Sequence, residues 1–268
     1  MPYDLPGVAL VTGAGSGIGR ATAILYAKEG CTKLSISDRN GKSIEETKQI
    51  IERESCGVAV WATVCDVSDE AAVQAFIDGT VERFGRIDYA ANVAGITRLG
   101  PGTAELSNAV WDEDYAINLR GLFLCERAEL QVMLRQEPLL SKDSKYPIRG
   151  AIANIGSIAS IVGEKSLPAY TASKHGVNGL TKADGHFYGH KGIRVNSVCP
   201  GAVFTDILAN SGNDPNRAPV KDGSNAQNAL RRFGDADEIA QCVVWINSGR
   251  ASYVTATVLT AAGGEIGV

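Results

Sequence analysis

The chain has 268 residues, of which 44% are hydrophobic and 21% charged, with a net charge of −4. That length and balance suit a globular protein with a full core. The acidic balance argues against a nucleic-acid or anionic-membrane surface, and no apolar run reaches membrane-spanning length.

Taken in order, residues 7–12 (GVALVT) form a short apolar strand that runs into a glycine-rich turn. Residues 18–30 have helical periodicity and close at Gly30. Residues 33–38 (KLSISD) alternate like a strand, and 42–57 are an amphipathic helix ended by Gly57. Residues 58–66 form another strand, 68–85 a helix with a serine cap and an acidic first turn, and 87–95 a buried strand. A long helix is expected over 112–136, a strand over 150–157, and a helix over 168–190 with a potential break at Gly185. Strands over 193–200 and 255–261 complete the pattern. Strands alternating with helices of this length imply an α/β fold, a parallel sheet covered on both faces. The segment 138–149 reads as a surface loop, and 208–230, rich in Asn, Asp, Gly and Pro, as a long functional loop.

The six cysteines, Cys31, Cys56, Cys65, Cys125, Cys199 and Cys242, make no C-x-x-C pair and no metal-like cluster. They read as free, mostly buried thiols of a reducing compartment. No basic-then-apolar leader opens the sequence, so a cytoplasmic location is expected. His186 and His190 share a helical face, but no third ligand accompanies them, and no metal is expected.

Two motifs carry chemistry. The first is TGAGSGIG, residues 12–19, directly after the first strand and opening the first helix. Gly13, Gly17 and Gly19 permit a sharp turn, close approach of a pyrophosphate to the backbone, and tight helix–sheet packing. The helix start then offers unpaired N–H groups to phosphate. Asp38 ends the second strand, where a carboxylate accepts hydrogen bonds from both adenosine ribose hydroxyls and repels a 2′-phosphate. This favours NAD. Arg39, which suits a 2′-phosphate, keeps NADP as the alternative. The second motif is Tyr170 and Lys174 in AYTASKHG, one helical turn apart and on one face. Alone, such a pair is equally an ordinary helix surface.

Together with their spacing, these residues resemble the short-chain dehydrogenase/reductase family, in its single-domain branch, over nearly the whole chain. The resemblance implies one Rossmann-type, doubly wound domain over residues 1–268, with about seven strands and a substrate loop at about 203–230. It implies that Ser16 and Ile18 in the glycine turn, Asp66-Val67, Asn92, Ala94 and Gly95 of NVAG, Pro200-Gly201, Val203 and Thr205 contact the dinucleotide. Asn118, Ser157, Tyr170 and Lys174 match the family's catalytic set. On that match, Tyr170 is the acid/base and Ser157 holds the substrate oxygen. Lys174 lowers the phenol's pKa and binds the nicotinamide ribose, and Asn118 holds a water that relays the proton. Val93, Ala262 and the Asp184-Gly185 pair depart from the family's usual residues.

The expected reaction is interconversion of a secondary alcohol and a ketone, leaning to alcohol oxidation. Loose similarity to fungal secondary-metabolism members suggests a bulky, lipophilic, cyclic substrate such as a terpenoid or polyketide. An NADPH-dependent ketoreductase and a non-redox isomerase, cyclase or dehydratase are the alternatives. The helices at 112–136 and 168–190 build the family's subunit contacts, so a homotetramer or homodimer is expected.

Overall fold

Seven short runs of small and β-branched residues pair into one parallel sheet in the computed structural model, which describes residues 2–205 and 228–266. The elements are β1 (Val8–Thr12), α1 (Gly17–Lys28), β2 (Lys33–Asp38), α2 (Gly41–Glu54), β3 (Ala59–Val64), α3 (Glu70–Phe84) and β4 (Tyr89–Asn92). After these come α4 (Asn108–Tyr115), α5 (Leu122–Met133), β5 (Gly150–Ile155), α6 (Pro168–Tyr188), β6 (Ile193–Pro200) and β7 (Val203–Phe204). The last are β8 (Gly234–Asp235), α7 (Ala236–Asn247) and β9 (Val258–Ala261). The sheet order is β3-β2-β1-β4-β5-β6-β9, and β7 and β8 form a separate pair. This is the doubly wound, Rossmann-type architecture that the sequence predicted.

The central strands β1, β5 and β6 are buried along their whole length, as parallel strands covered on both faces must be. One core lies between the sheet and α1, α2 and α7, built on Tyr26, Ile36, Ile51 and Val243. The other lies under α3 and α5, built on Phe76, Ile77, Leu124 and Ile152. Arg194 on β6 is buried, and its guanidinium donates to the carbonyls of Ile246, Asn247, Ser248 and Val254 at 2.6–3.1 Å. It therefore ties the end of α7 to the sheet.

Three expectations are corrected. The long helix at 112–136 is not one α-helix. It begins at Asn108 and passes through a π-helical segment, Ala116–Gly121, before α5. A Cβ on Gly121 would lie 3.0 Å from the Val67 carbonyl, so the helix approaches the Asp66-Val67 loop through a glycine within its widened turn. The break at Gly185 does not occur, and α6 runs on to Tyr188. There a Cβ would meet the Ala256 nitrogen at 2.6 Å and the Val195 carbonyl at 2.7 Å, so this glycine allows α6 to close on β6. The loop at 138–149 contains an antiparallel bridge between Leu139 and Ile148. The loop expected at 208–230 lies, as far as residue 227, outside the described residues. Of the cysteines, Cys56 is exposed and Cys242 half-buried, while Cys31, Cys65, Cys125 and Cys199 are buried.

Beneath the sheet's C-terminal edge lies a buried acidic network. Asn92 Nδ2 donates to Glu129 Oε2 at 3.0 Å and to Asn154 Oδ1 at 3.1 Å. Asn154 Nδ2 in turn donates to Glu126 Oε2 at 2.9 Å and Thr181 Oγ1 at 3.0 Å. Glu126 also shares a hydrogen bond with Asp184. Burial pushes Glu126 well above the usual carboxyl range and Glu129 up to about 7, where the Asn92 hydrogen bond offsets part of the rise. Between about pH 4.5 and 7, folded Glu129 keeps a proton that the unfolded chain has lost, so stability falls as pH rises through that window. The full swing is about 3 kcal/mol. Glu129→Gln should remove it. In thermal unfolding the variant should melt a few degrees above wild type at about pH 8 and match it at about pH 5. Equal pH slopes in both proteins would show that Glu129 carries no such penalty.

Candidate active site

The helices that follow β1 and β4 pack on opposite faces of the sheet, so a crevice opens where these neighbouring strands end. Thr12 closes β1, and its Oγ1 accepts from the Val93 and Ala94 amides at 3.1 and 3.3 Å. This pulls the two strand exits together. Gly13 has a φ of +66°, and a Cβ there would sit 2.7 Å from Ala94 Cα. A Cβ on Gly19 would sit 2.1 Å from the Gly13 carbonyl. Behind the turn, Arg20 bonds Thr47 Oγ1 at 2.9 Å, the Ser43 carbonyl at 3.2 Å, and the Gly15 carbonyl. Ser16 stands at the N-cap of α1 with no capping bond from its side chain, and the first turn holds no acidic residue. The helix start is thus a cradle of N–H groups shaped for an anion. Thr205 lies over it, its Cγ2 at 3.1 Å from where a Cβ on Gly17 would be.

At the other end of the turn, Asp38 Oδ2 accepts from Gly15 N and Oδ1 from Asn40 N, each at 2.9 Å. These bonds fix its carboxylate beside the glycine turn. Arg39 is exposed, and its charge acts on Asp66. Hydrogen bonds from the Ser68 hydroxyl and amide, with Arg39 adding to them, hold Asp66 below its usual range.

The catalytic candidates converge where β5 ends. Ser157 follows β5 and caps a short 3-10 turn, Ile158–Ser160, its Oγ accepting from Ala159 N at 3.1 Å. α6 starts at Pro168, a residue suited to a first turn, and carries Tyr170 and Lys174 on one face. Lys174 is buried, donates to the Ile155 carbonyl at 2.7 Å, and lies 5.7 Å from the Tyr170 ring centre. Burial pushes its ammonium down to about 8. Burial pushes Tyr170 up to about 12, against a hydrogen bond from Ser157 that favours the phenolate. The expectation that Lys174 lowers the Tyr170 phenol is therefore not met by the chain alone. The ammonium is bonded to a carbonyl, and desolvation outweighs its field. Asn118, in the π segment, is fully buried. Its Oδ1 accepts from Ile96 N at 2.8 Å and its Nδ2 donates to Ile96 O at 3.0 Å. Both ends of its amide thus hold the loop after β4.

One cleft of about 780 Å³ gathers these groups. Every residue expected to contact the dinucleotide lines it except Asn92, whose side chain points into the acidic network below. Ser157, Tyr170 and Lys174 line it too, while Asn118 stands behind Gly95. Sequence reasoning missed Thr12, Arg20 and the Ile155 carbonyl, which shape the site from behind. It also missed Ile96, Arg98 and Leu99 on the cleft wall. Thr12 sits within the glycine motif itself, the one signal that pointed to any of them. His186 and His190 are both exposed. A phosphate cradle, a ribose-side carboxylate and a Tyr–Lys pair in one cleft fit a nicotinamide dinucleotide.

Comparison with known proteins agrees. The family pattern described as Enoyl-(Acyl carrier protein) reductase matches residues 13–265. Levodione reductase of Leifsonia aquatica is 40% identical over 261 residues, 96% of this chain and 93% of that protein. A crystal structure of levodione reductase superposes with a TM-score of 0.87 at 39% identity, over 99% of this chain and 98% of that one. The 2,5-dichloro-2,5-cyclohexadiene-1,4-diol dehydrogenase of Sphingobium indicum is 35% identical, over 97% of this chain and 98% of its own. An actinorhodin polyketide ketoreductase solved with NADPH superposes with a TM-score of 0.85 at 32% identity, over 99% of each chain.

The glycine turn yields a direct test. In Gly19→Ala the new methyl meets the Gly13 carbonyl, which no side-chain movement relieves. Overpacking of that kind costs about 1–3 kcal/mol, so nucleotide affinity should fall about tenfold or more. Titration of NADH fluorescence reads this directly, and unchanged affinity would remove the turn from the binding site.

Proposed function

The chain belongs to the short-chain dehydrogenase/reductase family, and from that premise we propose that it interconverts a cyclic secondary alcohol and its ketone using NAD(H). The observation that carries this reading is the convergence of Ser157, Tyr170 and buried Lys174 at the wall of one cleft. Beside them the wall is formed by Ile96, Leu99, Ile158 and Leu167, side chains suited to a lipophilic ring. Levodione reductase and the cyclohexadiene diol dehydrogenase are named for ring substrates, which supports the same class.

The bound nicotinamide supplies or accepts the hydride. Residues of the chain handle the proton. In the reducing direction, Tyr170 gives its phenolic proton to the substrate oxygen as the carbonyl carbon gains hydride. Ser157 donates a hydrogen bond to that oxygen and favours its developing negative charge. Lys174 limits the cost of the phenolate left behind. In the oxidising direction each transfer reverses. Moving Tyr170 from about 12 to near neutrality corresponds to about 7 kcal/mol of differential interaction, which the positive charge of oxidised nicotinamide and Lys174 must supply together. Asp38 supports NAD over NADP, because its carboxylate faces the site where a 2′-phosphate would lie. The Asp38 signal leans toward alcohol oxidation, whereas the phenol held protonated by burial leans toward ketone reduction. Within the cell, soluble homo-oligomers in the cytoplasm fit this family and the expected subunit contacts.

Two measurements test the reading. Thermal unfolding with NAD(H) and with NADP(H) at matched concentrations should show stabilisation by NAD(H) alone. At about 100 times the dissociation constant the gain is about 2.7 kcal/mol, a shift of several degrees. Stabilisation by NADP(H) instead would overturn the Asp38 assignment. Tyr170→Phe should bind nucleotide nearly as wild type while turnover of a cyclic alcohol falls about 10²–10⁴-fold. Wild-type turnover in that variant would end the proposed acid/base role.

A further inference from the structure

Asp114 lies on α4, one turn before Asn118. It is 1% exposed, yet neither carboxyl oxygen has a hydrogen-bond partner. An acid buried for structural reasons is normally bonded; this one is not. α4 packs on α6, the helix of Tyr170 and Lys174, and the Asp114 charge reaches both of those side chains. Two further buried hydroxyls without partners, Thr97 Oγ1 and Thr171 Oγ1, sit on the segments next to it in the site. Thr97 follows Ile96, which is clamped by Asn118, and Thr171 follows Tyr170. The polar groups around Asp114 are thus those of the catalytic centre rather than of a fold-stabilising network.

We propose that Asp114 acts through Tyr170 and Lys174, its charge deciding whether Tyr170 gives or takes a proton at neutral pH. This rests on the acid/base role proposed above for Tyr170. Asp114 is in effect a fixed bias on the Tyr–Lys pair. As an anion it raises the affinity of Tyr170 and of Lys174 for protons, and once protonated it releases both. Burial moves its own titration up to about 6, partly countered by Arg98 and Lys174 and reinforced by Glu113. Arg98 is itself committed to Glu113 at 2.6 Å, which leaves Lys174 as the cation on the catalytic side. Tyr170 also feels Cys199 from β6 and Glu164 from the loop before α6, and Lys174 feels Cys199. Neither of those groups is buried beside Tyr170 without a bonding partner, as the Asp114 carboxyl is.

The sign follows. Removing the Asp114 charge should make Tyr170 lose its proton at lower pH. For alcohol oxidation, the limb of kcat/KM that rises with pH should move down by about half a unit to one unit in Asp114→Asn. The falling limb for ketone reduction should move by the same amount, because one ionisation governs both. The wild-type profile should also bend near pH 6, a bend absent from the variant. Asp114→Leu, neutral and of larger apolar volume, should show the same shift if the amide does not fold, and Asp114→Glu should restore the wild-type limb. The probe is the most active member of a panel of cyclohexanol, cyclohexane-1,4-diol and 1-tetralol with NAD. Folding is checked by stabilisation with NADH. Profiles that coincide in wild type and in whichever neutral variant folds would overturn the proposal while leaving the Tyr170 role intact. Loss of turnover in Tyr170→Phe with unmoved limbs in Asp114→Asn is the distinguishing result. Wild-type turnover in Tyr170→Phe would instead overturn the reading on which the proposal rests, and the proposal with it.

Discussion

The bond from Lys174 to the Ile155 carbonyl is the contact around which the site is arranged. A buried ammonium demands a partner, and the end of β5 supplies one at 2.7 Å. That single demand docks α6 onto the strand exit and sets the depth of Tyr170 one turn earlier. It also brings Ser157, two residues beyond Ile155, into hydrogen-bond reach of the phenol. Because the ammonium is spent on a carbonyl, it reaches the Tyr170 ring only at 5.7 Å. The pair therefore stands as a phenol and a weakened ammonium, a state that the charge of a bound ligand is able to tip.

The same economy of contacts runs through the nucleotide end. Thr12 binds the β4 exit, Asp38 binds the glycine turn, and Arg20 binds the turn from behind. Each of these bonds joins the end of one element to the start of another. The cleft is thus bounded by backbone held in place on all sides, with its side chains directed inward. The acidic network below it has a different character. Glu126, Glu129 and Asp184 share few donors, and their protonation is coupled to the fold rather than to the cleft.

Much of this was legible in the sequence, for physical reasons that can be named. The glycine turn is visible because steric demand leaves glycine as the one residue that fits at Gly13 and Gly19. Tyr170 and Lys174 are visible because helical geometry converts a four-residue spacing into a shared face. The alternation of strands and helices gives the doubly wound sheet, since parallel strands need crossovers. What was hidden depends on three-dimensional partners. Asn92 sits in a motif that points to the cleft, yet its amide finds Glu129 and Asn154 below. Gly185 looks like a helix breaker in one dimension and is a contact surface in three. Asp114 resembles any acid on an exposed helix until α6 buries it. The π segment has no local signature, because its extra residue is stabilised by the Ile96 clamp and the Val67 contact rather than by its own side chains.

That segment also makes the helix a record of two alternative registers. A π turn holds one residue more than an α turn, so deleting a single position between Ala116 and Gly121 leaves a chain able to wind as uninterrupted α-helix. Everything beyond the deletion would then turn by about 100° relative to what precedes it. Asn118 would part from Ile96, or else Leu124 and Cys125 would leave the core. The helix is thus locked to its length by demands at its two ends, and an insertion or loss there is not absorbed locally as it would be in a loop.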